Sequence, residues 1–155
     1  MTRKDWDLRF LNLARETSLW SKDPSTKVGA VIVRPDLTVA SLGFNGFPKR
    51  MPDLPQYYAD KEQKYSRVIH AEMNAILFAK EPLSGYTLYT TLLPCDRCLV
   101  HVAQAGIDRV VSPLAAPSVL ERWGAAFDKT RAYAREMGLE IVEYCLDIPT
   151  LSVSG

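Results

Sequence analysis

The chain has 155 residues and a mass of 17.4 kDa, which suits one domain with a buried core and leaves little room for two. Hydrophobic residues make up 47% and charged residues 24%, an ordinary soluble globular composition. Nineteen basic residues against eighteen acidic ones leave a net charge of +1, which argues against a nucleic-acid-coating protein and equally against an acidic tail.

The first segment, residues 5–20, spaces Trp6, Phe10, Leu13, Ala14, Thr17 and Trp20 three and four apart, one apolar face of a helix. It ends at Ser21-Lys22-Asp23-Pro24, where proline disfavours helical geometry for the residue before it. Val28 to Val33 and Thr38 to Leu42 flank Pro35-Asp36 and read as a hairpin. Residues 43–66, with three prolines, form a long irregular excursion, part of it open to helix; a loop of that length in a compact domain is usually functional. A second helix runs from about His70 to Lys80, and Tyr86 to Leu92 is a strand. Pro94 suits the first position of a third helix that ends at Gly106. Asp108 to Ser112 is a strand, and Ser118 with Glu121 forms a capping box for a fourth helix with Leu120, Trp123, Phe127 and Ala134 on its apolar stripe. Gly138 ends that helix, and Leu139 to Tyr144 closes as a fifth strand. This order predicts one α/β domain over residues 1–155: a mixed five-stranded sheet covered by helices on both faces, with its core at about 5–145 and a loose tail at 146–155.

Three cysteines cannot all pair with one another, and two share one Cys-x-x-Cys. The expectation is a reducing compartment with a metal-binding or redox cysteine pair. Met1 to Trp6 has no apolar leader-like run, and no apolar stretch reaches membrane-spanning length, so a cytoplasmic protein is expected.

The chemistry concentrates in His70-Ala71-Glu72 and Pro94-Cys95-Asp96-Arg97-Cys98. Cysteines three apart in the first turn of a helix share a face, and the helix N-terminus favours their thiolates. His70, Cys95 and Cys98 form a three-ligand set that leaves tetrahedral zinc one open position, the form of a catalytic site. Residues i and i+2 diverge in a regular helix. His70 and Glu72 therefore meet only if His70 sits at the non-helical start of its helix, with Glu72 beside the zinc-bound water and off the metal. Two other readings stand beside this one: a redox Cys-x-x-Cys, and a structural zinc closed by Cys145. Cys145 reads more simply as a buried apolar residue, and His101, one turn past Cys98, as structural.

These motifs resemble the zinc-dependent cytidine and deoxycytidylate deaminase superfamily, whose signature is His-x-Glu followed by Pro-Cys-x-x-Cys. Ser21 to Val33, Gly43 to Pro48 and His70 to Leu77 are similar to the blocks of deoxycytidylate deaminases, so the likeness covers residues 6–145. It implies a three-layer α/β/α cytidine-deaminase-like fold, zinc as cofactor, Glu72 as the catalytic proton carrier, the Ala71 N–H against the pyrimidine O2, Asn45 against the sugar, and a carbonyl of Leu92 or Leu93 facing the leaving amino group. The implied reaction is dCMP to dUMP and ammonia, which feeds thymidylate synthesis. Ser25, Thr26 and Lys27, and Lys49 and Arg50, are candidate partners for the phosphate. A tRNA adenosine deaminase shares the zinc signature, but the near-neutral charge favours a free nucleotide over nucleic acid. Many deoxycytidylate deaminases are hexamers switched by dCTP and dTTP, which implies a homo-oligomer, hexameric or dimeric, with those triphosphates as effectors. The loop Lys49-Arg50-Met51-Pro52-Asp53 departs from that pattern, lacks its glycine and its cysteine, and offers no Cys or His for a second zinc. That departure points to an enzyme active without triphosphates.

Overall fold

The computed structural model describes residues 1–146. The elements follow in the order α1 (Arg3–Ser18), β1 (Gly29–Val33), β2 (Val39–Phe44), α2 (Pro55–Ala59), α3 (Lys61–Arg67), α4 (Ala71–Ala79), β3 (Thr87–Thr90), α5 (Asp96–Gln104), β4 (Arg109–Pro113), α6 (Pro117–Met137) and β5 (Glu140–Tyr144). The sheet is mixed, in the order β2-β1-β3-β4-β5. β1 runs antiparallel to both β2 and β3, whereas β3, β4 and β5 are parallel. Every residue of β1 and of β4 is buried, as expected of strands covered on both faces. Alternation sends Ala30, Ile32, Leu88 and Val110 into a core shared with α4, α5 and α6, while Val31, Val33, Tyr89 and Val111 meet α1 on the other face. The result is the expected three-layer α/β/α arrangement.

α1 is fixed at its start by a capping box between Thr2 and Asp5 and pinned to the sheet by a buried ion pair. Asp7 receives Arg109 Nη1 at 2.8 Å and Nη2 at 2.7 Å, and the hydroxyls of Tyr89 and Tyr144 each donate to it at 2.7 Å. Four hydrogen bonds at one carboxylate compensate for its removal from water.

Several boundaries differ from the sequence reading. α1 stops at Ser18, so Trp20 lies beyond it, 57% exposed and edge-on to Phe44. The excursion after β2 contains two short helices: Pro55 opens α2, and the Asp60 side chain accepts from the N–H groups of Glu62 and Gln63 to start α3. Cys95 is the N-cap of α5, so Pro94 precedes the helix, and its carbonyl accepts from Thr130 Oγ1 at 2.8 Å. α6 begins at Pro117 with Ala116 as an N-cap that makes no side-chain bond, so Ser118 and Glu121 form no capping box. Pro117 presets the helical φ and starts the helix two residues too early for Ser118 to cap it. Leu120, placed on the apolar stripe by spacing, is exposed.

Cys145 is exposed and not a core residue. It follows β5, the edge strand, where no further strand covers it. Leu146, expected in the tail, packs against the α1-side core; the rest of that tail lies outside the described residues. Among the described residues no helix is long and apolar enough to cross a membrane.

Candidate metal centre and active site

His70 and Cys95 occupy the same structural position. Each is the extended residue just before a helix, His70 at φ −67°, ψ 155° before α4 and Cys95 at φ −67°, ψ 165° before α5. An N-cap side chain projects across the free N–H end of its helix, so two helix N-termini converge on one point. Cys98, in the first turn of α5, faces the same point. His70 Nδ1 lies 3.2 Å from Cys98 Sγ and 4.0 Å from Cys95 Sγ, and the three ligand atoms all lie within 4.8 Å of one another. Glu72, 4% exposed, sits beneath them with Oε1 3.8 Å from His70 Nδ1. The extended backbone at His70 thus removes the i, i+2 divergence. Cys145 is not in this cluster, and neither is exposed His101, whose Nδ1–H donates to the Arg97 carbonyl at 2.7 Å.

The electrostatics of the cluster favour a cation. Burial pushes the Glu72 carboxyl up, against the pull of His70. A hydrogen bond with Cys98 draws the Cys95 thiol down to about 4, helped by His70. Cys98 moves the other way, because it shares that bond, is buried and faces Glu72. Three groups able to carry negative charge crowd one partly dry site, and a divalent ion would relieve that repulsion and deprotonate both sulfurs. With three donors, tetrahedral coordination leaves a fourth position for water or substrate, as in catalytic metal centres.

A cavity of about 100 Å³ opens beside the cluster. Its walls include Glu72, His70, Cys95, Ala71, Asn45, Leu92 and Leu93 from the expected set, together with Asp23, Lys64, Tyr65, Arg122, Trp123 and Phe127. Nothing in the local sequence marks the latter group as site residues, since α3 and α6 supply most of it from far along the chain, with Trp123 and Phe127 legible there only as an apolar stripe. Asn45 is held by the segment before β1. Its Oδ1 accepts from Val28 N–H at 2.9 Å, and its Nδ2 donates to the Thr26 carbonyl at 2.8 Å and to Asp23 at 3.3 Å. Asp23 also accepts from the N–H groups of Ser25 and Thr26 and pairs with Lys64 at 2.9 Å. Of the five candidate phosphate residues, Thr26 lines this cavity, Lys27 lines a neighbouring one, and Ser25 lines neither. Lys49 and Arg50 lie elsewhere, in a groove with Leu77 and Phe78, where Lys49 Nζ sits 4.5 Å over the Phe78 ring.

A buried carboxyl beside a three-donor cluster that could hold a metal ion, on this sheet order, matches a cytidine-deaminase-like scaffold. Residues 4–113 match the cytidine and deoxycytidylate deaminase zinc-binding region, and the chain belongs to that family. It is 39% identical over 143 residues to an uncharacterized deaminase of Aliivibrio fischeri, covering 92% of this chain and 96% of that one. It is 37% identical over 126 residues to the deoxycytidylate deaminase of Mycobacterium phage D29, covering 73% and 98%. The dCMP deaminase of cyanophage S-TIM5, solved with dCMP and dUMP, shares the fold with a TM-score of 0.71 at 24% identity over 92% of this chain and 98% of that one. Some relatives are much longer: the chain spans 54% of a Caenorhabditis elegans member.

Proposed function

We propose that this chain is a zinc-dependent deaminase that converts dCMP and water to dUMP and ammonia. The carrying observation is the buried Glu72 carboxyl, in the wall of a small cavity and 3.8 Å from a ring nitrogen of the metal cluster. The phage D29 relative, matched over nearly its whole length, supports dCMP as substrate.

The donor set fits zinc. Zn–N near 2.0 Å and Zn–S near 2.3 Å in a tetrahedron put nitrogen and sulfur about 3.5 Å apart, and the observed separations of 3.2 and 4.0 Å bracket that value. His70 through Nδ1, Cys95 and Cys98 would hold the ion. When bound, zinc supplies the Lewis acidity that makes water nucleophilic near neutral pH.

Glu72 does the proton work. It accepts the proton from the water attacking C4 and passes it to N3. It then carries a proton to the amino group, so that the new C4–O bond replaces the C4–N bond and ammonia departs. Burial suits this role, because a carboxyl that binds its proton more tightly is both a better base and a usable acid near neutral pH. The N–H of Ala71, at the open end of α4, has no helical acceptor and serves the pyrimidine O2. The Leu92 and Leu93 backbone faces the leaving amino group. Asn45 contributes to sugar recognition with hydrogen-bonding groups that already hold Thr26 and Val28 at the rim.

The same reading makes the protein a cytoplasmic homo-oligomer, hexameric or dimeric. An exposed apolar strip supports association: Leu77 is 62% and Phe78 42% exposed. The departure of residues 49–53 from the dCTP/dTTP-regulated pattern supports activity without triphosphates. Ammonia release by the zinc-loaded protein tests the function against dCMP, CMP, deoxycytidine, dCTP and a tRNA anticodon stem-loop. dCMP is expected to lead; turnover of the stem-loop alone would overturn the substrate.

A further inference from the structure

The cavity beside Glu72 has a neighbour. An outer cavity of about 370 Å³ shares Thr26, Val28, Leu92, Arg122 and Trp123 with it, so the two meet along a common wall. The inner space alone is well below the ~300–1,000 Å³ typical of small-molecule sites, whereas the outer one falls within that range. A ligand whose ring reaches Glu72 therefore has its remaining atoms placed outward, past Arg122.

The outer cavity has one sign of charge. Arg15, Lys27 and Arg122 line it, and no Asp or Glu does. Among the described residues none of these three makes an ion pair, whereas Lys64, which lines the inner cavity with Arg122, is paired with Asp23. Ser118, also in this lining, belongs to the first turn of α6, whose N-cap Ala116 offers no side-chain acceptor. An uncapped N-terminus of a 21-residue helix adds partial positive charge to the same space. Arg122 stands at the seam and is braced, its Nη2 donating to the Tyr65 hydroxyl at 3.0 Å. Its other N–H groups remain to bind an anion, and a guanidinium matches a phosphate in a two-pronged way that lysine does not.

We propose that Arg122, braced by Tyr65 between the two cavities, is the residue by which this chain selects a 5′-phosphorylated nucleotide over the free nucleoside. The inference rests on the deaminase reading for the identity of the base; the anion site itself does not. Lys27 and Arg15 supply the flanking charge, and the α6 terminus the remaining field. The Ser25-Thr26-Lys27 segment alone does not make this site, since Ser25 faces neither cavity.

The test compares the zinc-loaded wild type with Arg122→Gln and Arg122→Lys. Arg122 is exposed, so both variants are expected to fold, which circular dichroism checks. Loss of a charge-assisted contact lowers the ratio of kcat/KM on dCMP to that on deoxycytidine by about 10–100-fold in Arg122→Gln, mostly through KM, with partial recovery in Arg122→Lys. An equal fall on both substrates, or an unchanged ratio, would overturn the proposal. A second measurement uses no turnover: calorimetric titration with deoxyribose 5-phosphate is expected to show at least tenfold weaker binding to Arg122→Gln. Equal binding to both proteins, or no binding to either, would also overturn it. Failure of the deaminase reading has a different signature: no ammonia from dCMP in the wild type, with the difference in sugar-phosphate binding intact.

Discussion

Gly43 offers a direct test of how the fold sets the position of the catalytic groups. It lies in β2 opposite Ala30, and α4 crosses directly over it. A Cβ built there would fall well inside van der Waals contact with the Ala71 carbonyl oxygen and the Ala75 nitrogen, and 3.0 Å from the Ala75 Cα. All three are backbone atoms, so no side chain can rotate away. Relief to the ~3.5–4.0 Å of ordinary contact requires α4 to retreat by roughly 1 Å. His70 and Glu72 move with that helix, while Cys95 and Cys98 stay with α5. Gly43→Ala is therefore expected to cost about 1–3 kcal/mol as overpacking, a Tm loss of about 2–12 °C. A misplacement of that size also costs up to about 100-fold in kcat. The assay is differential scanning calorimetry with dCMP turnover and metal content measured on the same preparation. Gly124→Ala is the control, because a Cβ there meets nothing within 4 Å and α6 gains about 0.5–1 kcal/mol from lost chain entropy. A Gly43→Ala protein with wild-type Tm and kcat would refute the idea that close backbone contact between β2 and α4 sets the site.

Glu72→Ala should keep stoichiometric zinc, since the carboxylate is no ligand in this reading, and lose about 100- to 10,000-fold in kcat; appreciable residual turnover sinks the assigned role. Cys145→Ser should retain all its zinc whereas Cys95→Ser should not, measured by atomic absorption after dialysis; zinc loss from Cys145→Ser would restore the structural-site reading. Burial pushes the Asp7 carboxyl up, but the bonds from Arg109, Tyr144 and Tyr89 outweigh it and the net shift is down. The folded state therefore binds fewer protons than the unfolded state. This contribution is present above the unfolded value of about 3.9 and is lost as pH falls through the lower folded value. Urea midpoints between pH 2 and 6 should show that acid limb, flattened in Asp7→Asn. At pH 7 that variant should lose about 3–5 kcal/mol, because it strands the Arg109 charge; equal slopes in both proteins would refute the assignment.

What was legible in the sequence was what local chemistry decides. The β-branched run from Val28 to Val33 announced a strand, and the 70/72 spacing required an extended His70. The Cys95/Cys98 interval announced a shared helical face, although the helix starts two residues later than Pro94 suggested. What was not legible depends on partners distant in the chain. Tyr65 and Arg122 meet across 57 positions, Asp7 and Arg109 across 102, and no window of spacing contains either pair. Ser118 and Glu121 satisfied a capping pattern, yet Pro117 set the helix start. Cys145 had the composition of a core position, but the strand order left it on an edge.

The sheet topology explains why these distant groups meet where they do. The pairing changes at β3, which runs antiparallel to β1 on one side and parallel to β4 on the other, so strand direction changes between β1 and β3. The chain leaves β3 at Thr90, turns through Leu92 and Leu93, and enters α5 at the metal ligands. β1 begins at the same end of the sheet, where Gly29 N–H bonds Thr91 Oγ1 at 3.1 Å. A crevice beyond the carboxyl end of a strand at such a change of direction is where open α/β sheets place ligands. Here the N-termini of α4 and α5 point into the crevice and supply the metal ligands and Glu72. The N-terminus of α6 lies beyond them and lines the outer cavity with Arg122. In the proposed function, one end of the fold thus serves two separate negative charges, thiolates and a carboxylate around a metal on one side and a phosphate on the other. The Asp23–Lys64 pair lies in the inner cavity between them, and in the proposed function its mutual neutralisation leaves that space to the uncharged sugar.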